Sequence, residues 1–179
     1  MAGRQLRARG RLAGWTLLLL GWAGAAFGQA PAAPGQAAIA SAHPLATRAG
    51  MEALKAGGNA FDAAVAVIVA LGVVEPFSSG LGGGGFWLLH VAENGRQVVV
   101  DARETAPGEA TADMYLDEQK DPVPGLSLNG PLAAGIPGAP AALVHVSEQY
   151  GRLPLARTLE PAIRLAREGF HLYGRMHLG

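Results

Sequence analysis

The stretch Ser78–Pro107 decides the fold of this chain and reads SSGLGGGGFWLLHVAENGRQVVVDARETAP. Within it, two apolar runs, Phe86–Val91 and Gln97–Ala102, lie on either side of an Asn-Gly pair at positions 94–95. Asn-Gly between runs rich in β-branched and aromatic residues predicts a β-hairpin whose two turn residues both have positive φ. The second strand then places Arg103 just beyond its end.

Five glycines, Gly80 and Gly82–Gly85, precede the first of these strands. Three of them match G-x-G-x-x-G, which binds a dinucleotide only where it follows a strand and opens a helix. Here a helix is predicted before the run and a strand after it, and Phe86 stands where a P-loop needs its lysine. Nucleotide binding is therefore not predicted. The run is either a tight connection packed on neighbouring backbone or a backbone nest lining a substrate site.

The composition describes a mildly acidic domain with a real core. Half of the 179 residues are hydrophobic and 16% are charged. Four arginines lie within the first eleven positions, so the remainder carries 10 basic and 14 acidic residues, which disfavours nucleic acid as a partner. The chain has no cysteine, which excludes a disulfide, a zinc–thiolate site and a cysteine nucleophile.

Neither a catalytic residue nor a cofactor or metal site is predicted within the chain. The five histidines show no metal-binding spacing, and His90, inside a predicted strand, is interpreted as a core residue. Ser78 and Ser79 are interpreted as hydrogen-bonding loop residues, because no Gly-x-Ser-x-Gly elbow surrounds them.

The N-terminal region has the pattern of an export signal. An arginine-rich start, an apolar stretch and small residues near position 30 predict a secretory signal peptide at Met1–Ala30. Pro31–Gln36 is predicted to be a linker, and the domain proper occupies residues 37–179. The alternative is an uncleaved anchor, in which case the chain would contact a membrane. Both interpretations place the domain outside the cytoplasm, in the periplasm or secreted.

Before the hairpin, the pattern predicts a strand over Ala37–Ala42 and a helix over Leu45–Ala56 that ends at a Gly-Gly pair. A second helix is predicted over Ala60–Val74, and its apolar character on all sides indicates burial. Asn59 is its predicted N-cap, with Asp62 completing a capping box.

After the hairpin, Thr111–Leu116 is predicted to form one or two helical turns and Asp117–Pro140 a long ordered loop. Helices are predicted over Ala141–Tyr150 and Leu155–Glu168, the latter provided that Pro161 lies in its first turn. These elements predict a layered α/β or α+β domain. The two strands are too few to complete a sheet, so the chain is expected to be part of a larger fold.

Arg103 is the best candidate for a functional side chain. A guanidinium presents a planar fork that binds a carboxylate bidentately and keeps its charge at any working pH. The alternative is a structural ion pair with Asp101 or Glu104, and spacing alone leaves both interpretations open.

Four segments together carry a family resemblance: GGNAFDAAVA at 57–66, GLGGGGF at 80–86, DARETAP at 101–107, and EPAI with LAREGF at 160–170. In this order and in one register, they resemble the large subunit of γ-glutamyltranspeptidases (glutathione hydrolases). The resemblance covers about residues 38 to 170.

The resemblance implies an N-terminal-nucleophile hydrolase fold, an αββα sandwich that is incomplete in this chain. It also implies a precursor that cuts itself into a large and a small subunit, with glutathione or another γ-glutamyl compound as the small-molecule substrate. The new N-terminal Thr of the small subunit would attack the γ-glutamyl amide, its own α-amine acting as base. Arg103 matches the family's arginine that holds the glutamate α-carboxylate.

The chain departs from the family pattern because it contains no Thr-Thr pair, the segment that carries the nucleophile. It is therefore expected to be the N-terminal fragment of a precursor, inactive alone and partnered by the small subunit. Two alternatives stay open: a cephalosporin or glutaryl acylase of the same fold, and a non-catalytic binding module that keeps the arginine pocket.

Overall fold

The computed structural model describes residues 37–172. The predicted signal peptide, the linker and the end of the chain after residue 172 lie outside this range. The chain divides into two units, Met1–Ala38 and Ile39–Gly179. Of the first unit only residues 37 and 38 are described, and they have no regular structure. Everything below concerns the second unit.

Four α-helices and one β-hairpin form the described part of the second unit. In chain order they are α1 (Pro44–Lys55), α2 (Ala60–Val74), β1 (Gly85–Val91), β2 (Arg96–Ala102), α3 (Ala139–Tyr150) and α4 (Leu155–Glu168). A short 3-10 helix, Pro131–Ala133, interrupts the long loop between β2 and α3. The four long helices and the two hairpin strands that the sequence predicts agree with these bounds to within two residues.

Helix α2 begins with the predicted capping box. The Asn59 side chain accepts hydrogen bonds from the amides of Phe61 and Asp62, while the Asp62 carboxylate accepts one from the Asn59 amide at 2.8 Å. These bonds satisfy helix-terminal N–H groups that have no partner within the helix. The local sequence therefore specifies where α2 begins.

Helix α2 is the centre of the core, as its apolar sequence predicts. One side of it packs with α1 and α4 in a cluster of small residues that includes Ala49, Ala66 and Ala162. The other side supplies Val65 to a second cluster, in which it meets Leu89 of β1 and α3. Small side chains permit close approach of the helices, so α2 is covered on both sides.

Strands β1 and β2 pair antiparallel, from Gly85 opposite Ala102 to Val91 opposite Arg96. The hairpin prediction is confirmed, but the two-residue turn is wrong. Four residues, 92–95, connect the strands, and Gly95 alone among them has positive φ, at 69°. The Asn94 side chain instead accepts a hydrogen bond from the Arg96 amide at 3.0 Å, which favours the longer turn.

The two faces of the hairpin have different surroundings. Its inner face packs on the cluster around Val65, through the residues Trp87, Leu89, Val98 and Val100. Its outer face leaves Phe86, Leu88 and Val99 exposed by 66%, 76% and 65%. His90 shares this outer face and is exposed, so its interpretation as a core residue is wrong. Because successive side chains of a strand point to opposite faces, His90 lies on the same face as Leu88 and points away from the helices.

Three other expectations differ from the structure. Ala37–Ala42 forms no strand, because no described residue offers it a ladder, although Ile39 packs on the α1–α2 cluster. Thr111–Leu116 forms hydrogen-bonded turns but no helix. Pro161 lies in the middle of α4, where it is buried. Its missing N–H and its ring cost about 3 kcal/mol, and the packing of this face of α4 on α2 offsets that cost.

Within residues 37–172, no helix is both long enough and apolar enough to cross a membrane.

Candidate functional site

Arg103 is the first residue after β2, and its side chain is 64% exposed. Its amide donates to Asp101 Oδ1 at 3.0 Å, and its Nε lies 3.5 Å from Glu104 Oε2. Of the two alternative ion pairs, the structure therefore contains the one with Glu104, while the Asp101 carboxylate caps the backbone. An exposed pair of this kind contributes at most about 1 kcal/mol, so the guanidinium is able to exchange it for a ligand carboxylate.

Three chain segments meet around Arg103. The segment after β2 pairs with the long loop through two hydrogen bonds between Thr105 and Ile136, at 3.2 and 2.8 Å. The amide of Ala139, the first residue of α3, donates to the carbonyl of Gly83 at 3.0 Å. The glycine run, the end of β2 and the start of α3 are thus linked by backbone hydrogen bonds, which gives an exposed arginine a rigid base.

The glycine run is followed by a strand and opens no helix, which agrees with the sequence argument against a dinucleotide site. Gly84 approaches the backbone of Arg103 so closely that a β-carbon there would lie 3.0 Å from the Arg103 Cα. A β-carbon at Gly80, Gly82 or Gly85 would meet no atom within 4 Å. Close packing on neighbouring backbone is therefore the role of Gly84, but not of every glycine in the run.

Two cavities border this junction, and Glu104 lines both. The larger, about 830 Å³, lies between α2, the glycine run and β1, and Ser78 and Ser79 are on its wall. The smaller, about 500 Å³, is an open pocket lined by the segment after β2, Tyr115 and the loop residues 133–135. The Tyr115 hydroxyl donates to the Leu132 carbonyl at 2.9 Å and holds that loop in place.

Sequence reasoning placed Glu104 only as an ion-pair partner, and it did not single out Tyr115. The position of Glu104 depends on how the long loop returns to β2, for which the local sequence carries no signal. Ser78 and Ser79 lie between α2 and the glycine run, where their backbone amides both donate to the Glu75 carbonyl. Among residues 37–172, no group of three or more His, Cys, Asp or Glu side chains could hold a metal ion.

The helical layer and the hairpin with one exposed apolar face make the described residues part of an α+β fold, and their similarity to solved gamma-glutamyltranspeptidase structures assigns this fold to the N-terminal-nucleophile hydrolase class. A family model for gamma-glutamyltranspeptidase matches residues 46–177. The chain therefore belongs to the γ-glutamyltranspeptidase family, as the sequence resemblance predicts.

Individual relatives agree with this assignment. The chain is 48% identical over 120 residues to a glutathione hydrolase proenzyme of Escherichia coli, a match that covers 67% of this chain and 20% of the relative. Its structure is similar to that of Helicobacter pylori gamma-glutamyltranspeptidase, with a TM-score of 0.75 and 44% identity over 81% of this chain and 42% of that one. It is also 45% identical over 125 residues to an acylase proenzyme of a Pseudomonas strain, covering 66% and 22% of the two chains.

The chain thus spans about a fifth of the length of the curated relatives that it matches.

Proposed function

We propose that this chain is the N-terminal part of the large subunit of a γ-glutamyltransferase, or glutathione hydrolase, made as a precursor. The enzyme cleaves γ-glutamyl amides such as glutathione and transfers the γ-glutamyl group to water, an amino acid or a peptide. Support comes from the family match over residues 46–177 and from the glutathione hydrolase proenzyme of E. coli. The nucleophilic Thr would lie in the small subunit, since no Thr-Thr pair occurs here.

In this proposal, Arg103 binds the α-carboxylate of the γ-glutamyl group. The observation that carries this role is its location: a largely exposed guanidinium at the end of a strand, next to a residue that borders two cavities. Its weak contact with Glu104 leaves the fork free to make two parallel N–H···O bonds. Binding would fix the distance between the α-carboxylate and the amide carbonyl that is attacked.

The remainder of the precursor is the proposed partner of the hairpin's outer face. Phe86, Leu88 and Val99 form a contiguous apolar surface, because Leu88 pairs with Val99 and both strands project alternate residues outward. An αββα sandwich requires a second sheet in that position. The proposal further places residues 1–30 as an export signal, 31–36 as a linker and the mature enzyme in the periplasm or outside the cell.

The test is expression of the complete precursor, with and without Arg103→Ala, on a γ-glutamyl anilide. Self-cleavage into two subunits and anilide release are expected for the unaltered protein. A strongly raised KM is expected for the variant. A complete precursor that never cleaves itself and releases no anilide would refute the proposed function and favour a binding module.

A second candidate function is an acylase that acts on another acyl group, and the Pseudomonas acylase relative favours it. A glutaryl anilide separates the two, because a glutaryl group keeps the carboxylate of a γ-glutamyl group but lacks its α-amino group. Faster release from the glutaryl compound than from the γ-glutamyl one would replace the first candidate by the second.

A further inference from the structure

Two glycines from distant parts of the chain pack against the same peptide unit, the one that joins Ala102 to Arg103. A β-carbon at Gly138 would lie 2.6 Å from the Ala102 carbonyl carbon and 2.7 Å from the Arg103 carbonyl oxygen. A β-carbon at Gly84 would lie 3.0 Å from both the Arg103 Cα and its carbonyl carbon. Both would also overlap the Ala102 carbonyl oxygen. No side chain of any kind fits at either position without a backbone shift.

The reason for glycine at position 138 is this close approach and not its backbone conformation. Gly138 has φ −91° and ψ −21°, which any L-residue adopts readily. The backbone of Ala102 and Arg103 lies so close to the Gly138 Cα that it leaves room for a hydrogen atom but not for a β-carbon. Gly84 likewise has no positive φ.

The two glycine segments are joined to each other as well as to Arg103. The bond from the Ala139 amide to the Gly83 carbonyl links the residues next to each glycine, and the Thr105–Ile136 pair closes the other side. Arg103 itself makes few contacts that would hold it, since its side chain is exposed and its ion pair is long. The backbone at Arg103 is therefore located by the two glycines and the hydrogen bonds around them.

We infer that Gly84 and Gly138 are positioning residues that set the place of the Arg103 guanidinium relative to the reacting amide. This inference rests on the proposed function of Arg103. An alanine at either position must push the Ala102–Arg103 peptide away. Moving a substrate-orienting group by about 1 Å lowers catalytic efficiency by up to roughly 100-fold.

The experiment compares Gly84→Ala, Gly138→Ala, Arg103→Ala and Gly108→Ala in the complete, self-cleaved enzyme, with a γ-glutamyl anilide as substrate. Gly108 is the matched control, because a β-carbon there would meet no atom within 4 Å and its φ is not positive. We expect each of the first two variants to raise KM about tenfold or more with kcat changed far less. Gly108→Ala should behave as the unaltered enzyme does.

A second measurement separates positioning from general damage. Partial misfolding lowers kcat by reducing the amount of active enzyme but leaves KM unchanged. Gly138→Ala and Gly84→Ala should also add little to the KM of an Arg103→Ala enzyme, because residues that act through one group are not additive. Full additivity, an unchanged KM, or failure of both alanine variants to yield soluble enzyme would overturn the inference and leave the glycines a folding role alone.

Failure of the proposed function gives a different result. In that case the unaltered enzyme releases no anilide, or Arg103→Ala leaves its KM unchanged.

Discussion

The Asp62 carboxylate at the start of α2 accepts a hydrogen bond from the backbone amide of Arg152, 3.0 Å away and 90 residues further along the chain. It also accepts hydrogen bonds from the amides of Asn59 and Leu153, and the Asp62 side chain is fully buried. In addition, the Asn59 side-chain amide donates to the Tyr150 carbonyl at 2.7 Å. The capping box of α2 therefore also holds the connection between α3 and α4.

Replacing Asp62 by Ala should destabilise the domain strongly, because the backbone amides of Asn59, Arg152 and Leu153 would lose a fully buried acceptor. Each such group costs about 1–3 kcal/mol when it is left unsatisfied, so the total is expected to reach several kcal/mol. Hydrogen exchange of the peptide that spans residues 150–155 should become faster. Asp113→Asn is the control, since Asp113 is an exposed carboxylate paired with Lys120. Equal exchange in the two variants would contradict this role.

Arg103→Ala should raise the KM for a γ-glutamyl anilide roughly 10- to 100-fold, as expected for the loss of hydrogen bonds to a charged group worth about 1.5–3 kcal/mol. A 4-aminobutyryl anilide has no α-carboxylate, so its kcat/KM should change little. Arg157→Ala is the control, because that exposed guanidinium pairs with Glu160 on the surface of α4. Equal losses for both anilides would show that Arg103 does not recognise the carboxylate.

Leu88→Asp should reduce self-cleavage of the complete precursor by preventing the second sheet from covering the hairpin. A buried, unpaired carboxylate in an apolar interface is strongly unfavourable. The hairpin itself should persist, because Leu88 is 76% exposed within this chain. The cleaved fraction is read from a denaturing gel, with Glu93→Lys in the exposed turn as control. Normal cleavage of Leu88→Asp would mean that this face stays uncovered.

Gly95→Val should weaken the hairpin, since a β-branched residue at φ 69° is strained by about 1–3 kcal/mol. Gly95→Asn should cost less, because asparagine enters the left-handed region more readily. Hydrogen exchange of the β1 and β2 amides in the complete precursor measures the difference. Protection that is the same in both variants would indicate that the turn tolerates another conformation.

Local sequence was sufficient to predict the four long helices and the hairpin, but it predicted neither the length of the hairpin turn nor the position of Pro161 in its helix. The capping box at Asn59 and Asp62 uses groups three residues apart, so it could be read directly. The turn could not, because the Asn94 side chain bonds the Arg96 amide and lengthens the connection. Pro161 was misplaced for a similar reason: propensity penalises it inside a helix, but its burial in α4 outweighs that penalty.

The candidate site likewise combines features that the local sequence predicts with features that only the tertiary structure determines. Sequence alone made Arg103 a candidate, since guanidinium chemistry and its position after an apolar run are both local properties. The two cavities beside Glu104 and the convergence of Gly84 and Gly138 on one peptide depend on segments more than 30 residues apart. Their approach is decided by the packing of α2, α3 and the hairpin, because a glycine's role as a spacer exists only once another backbone lies against it.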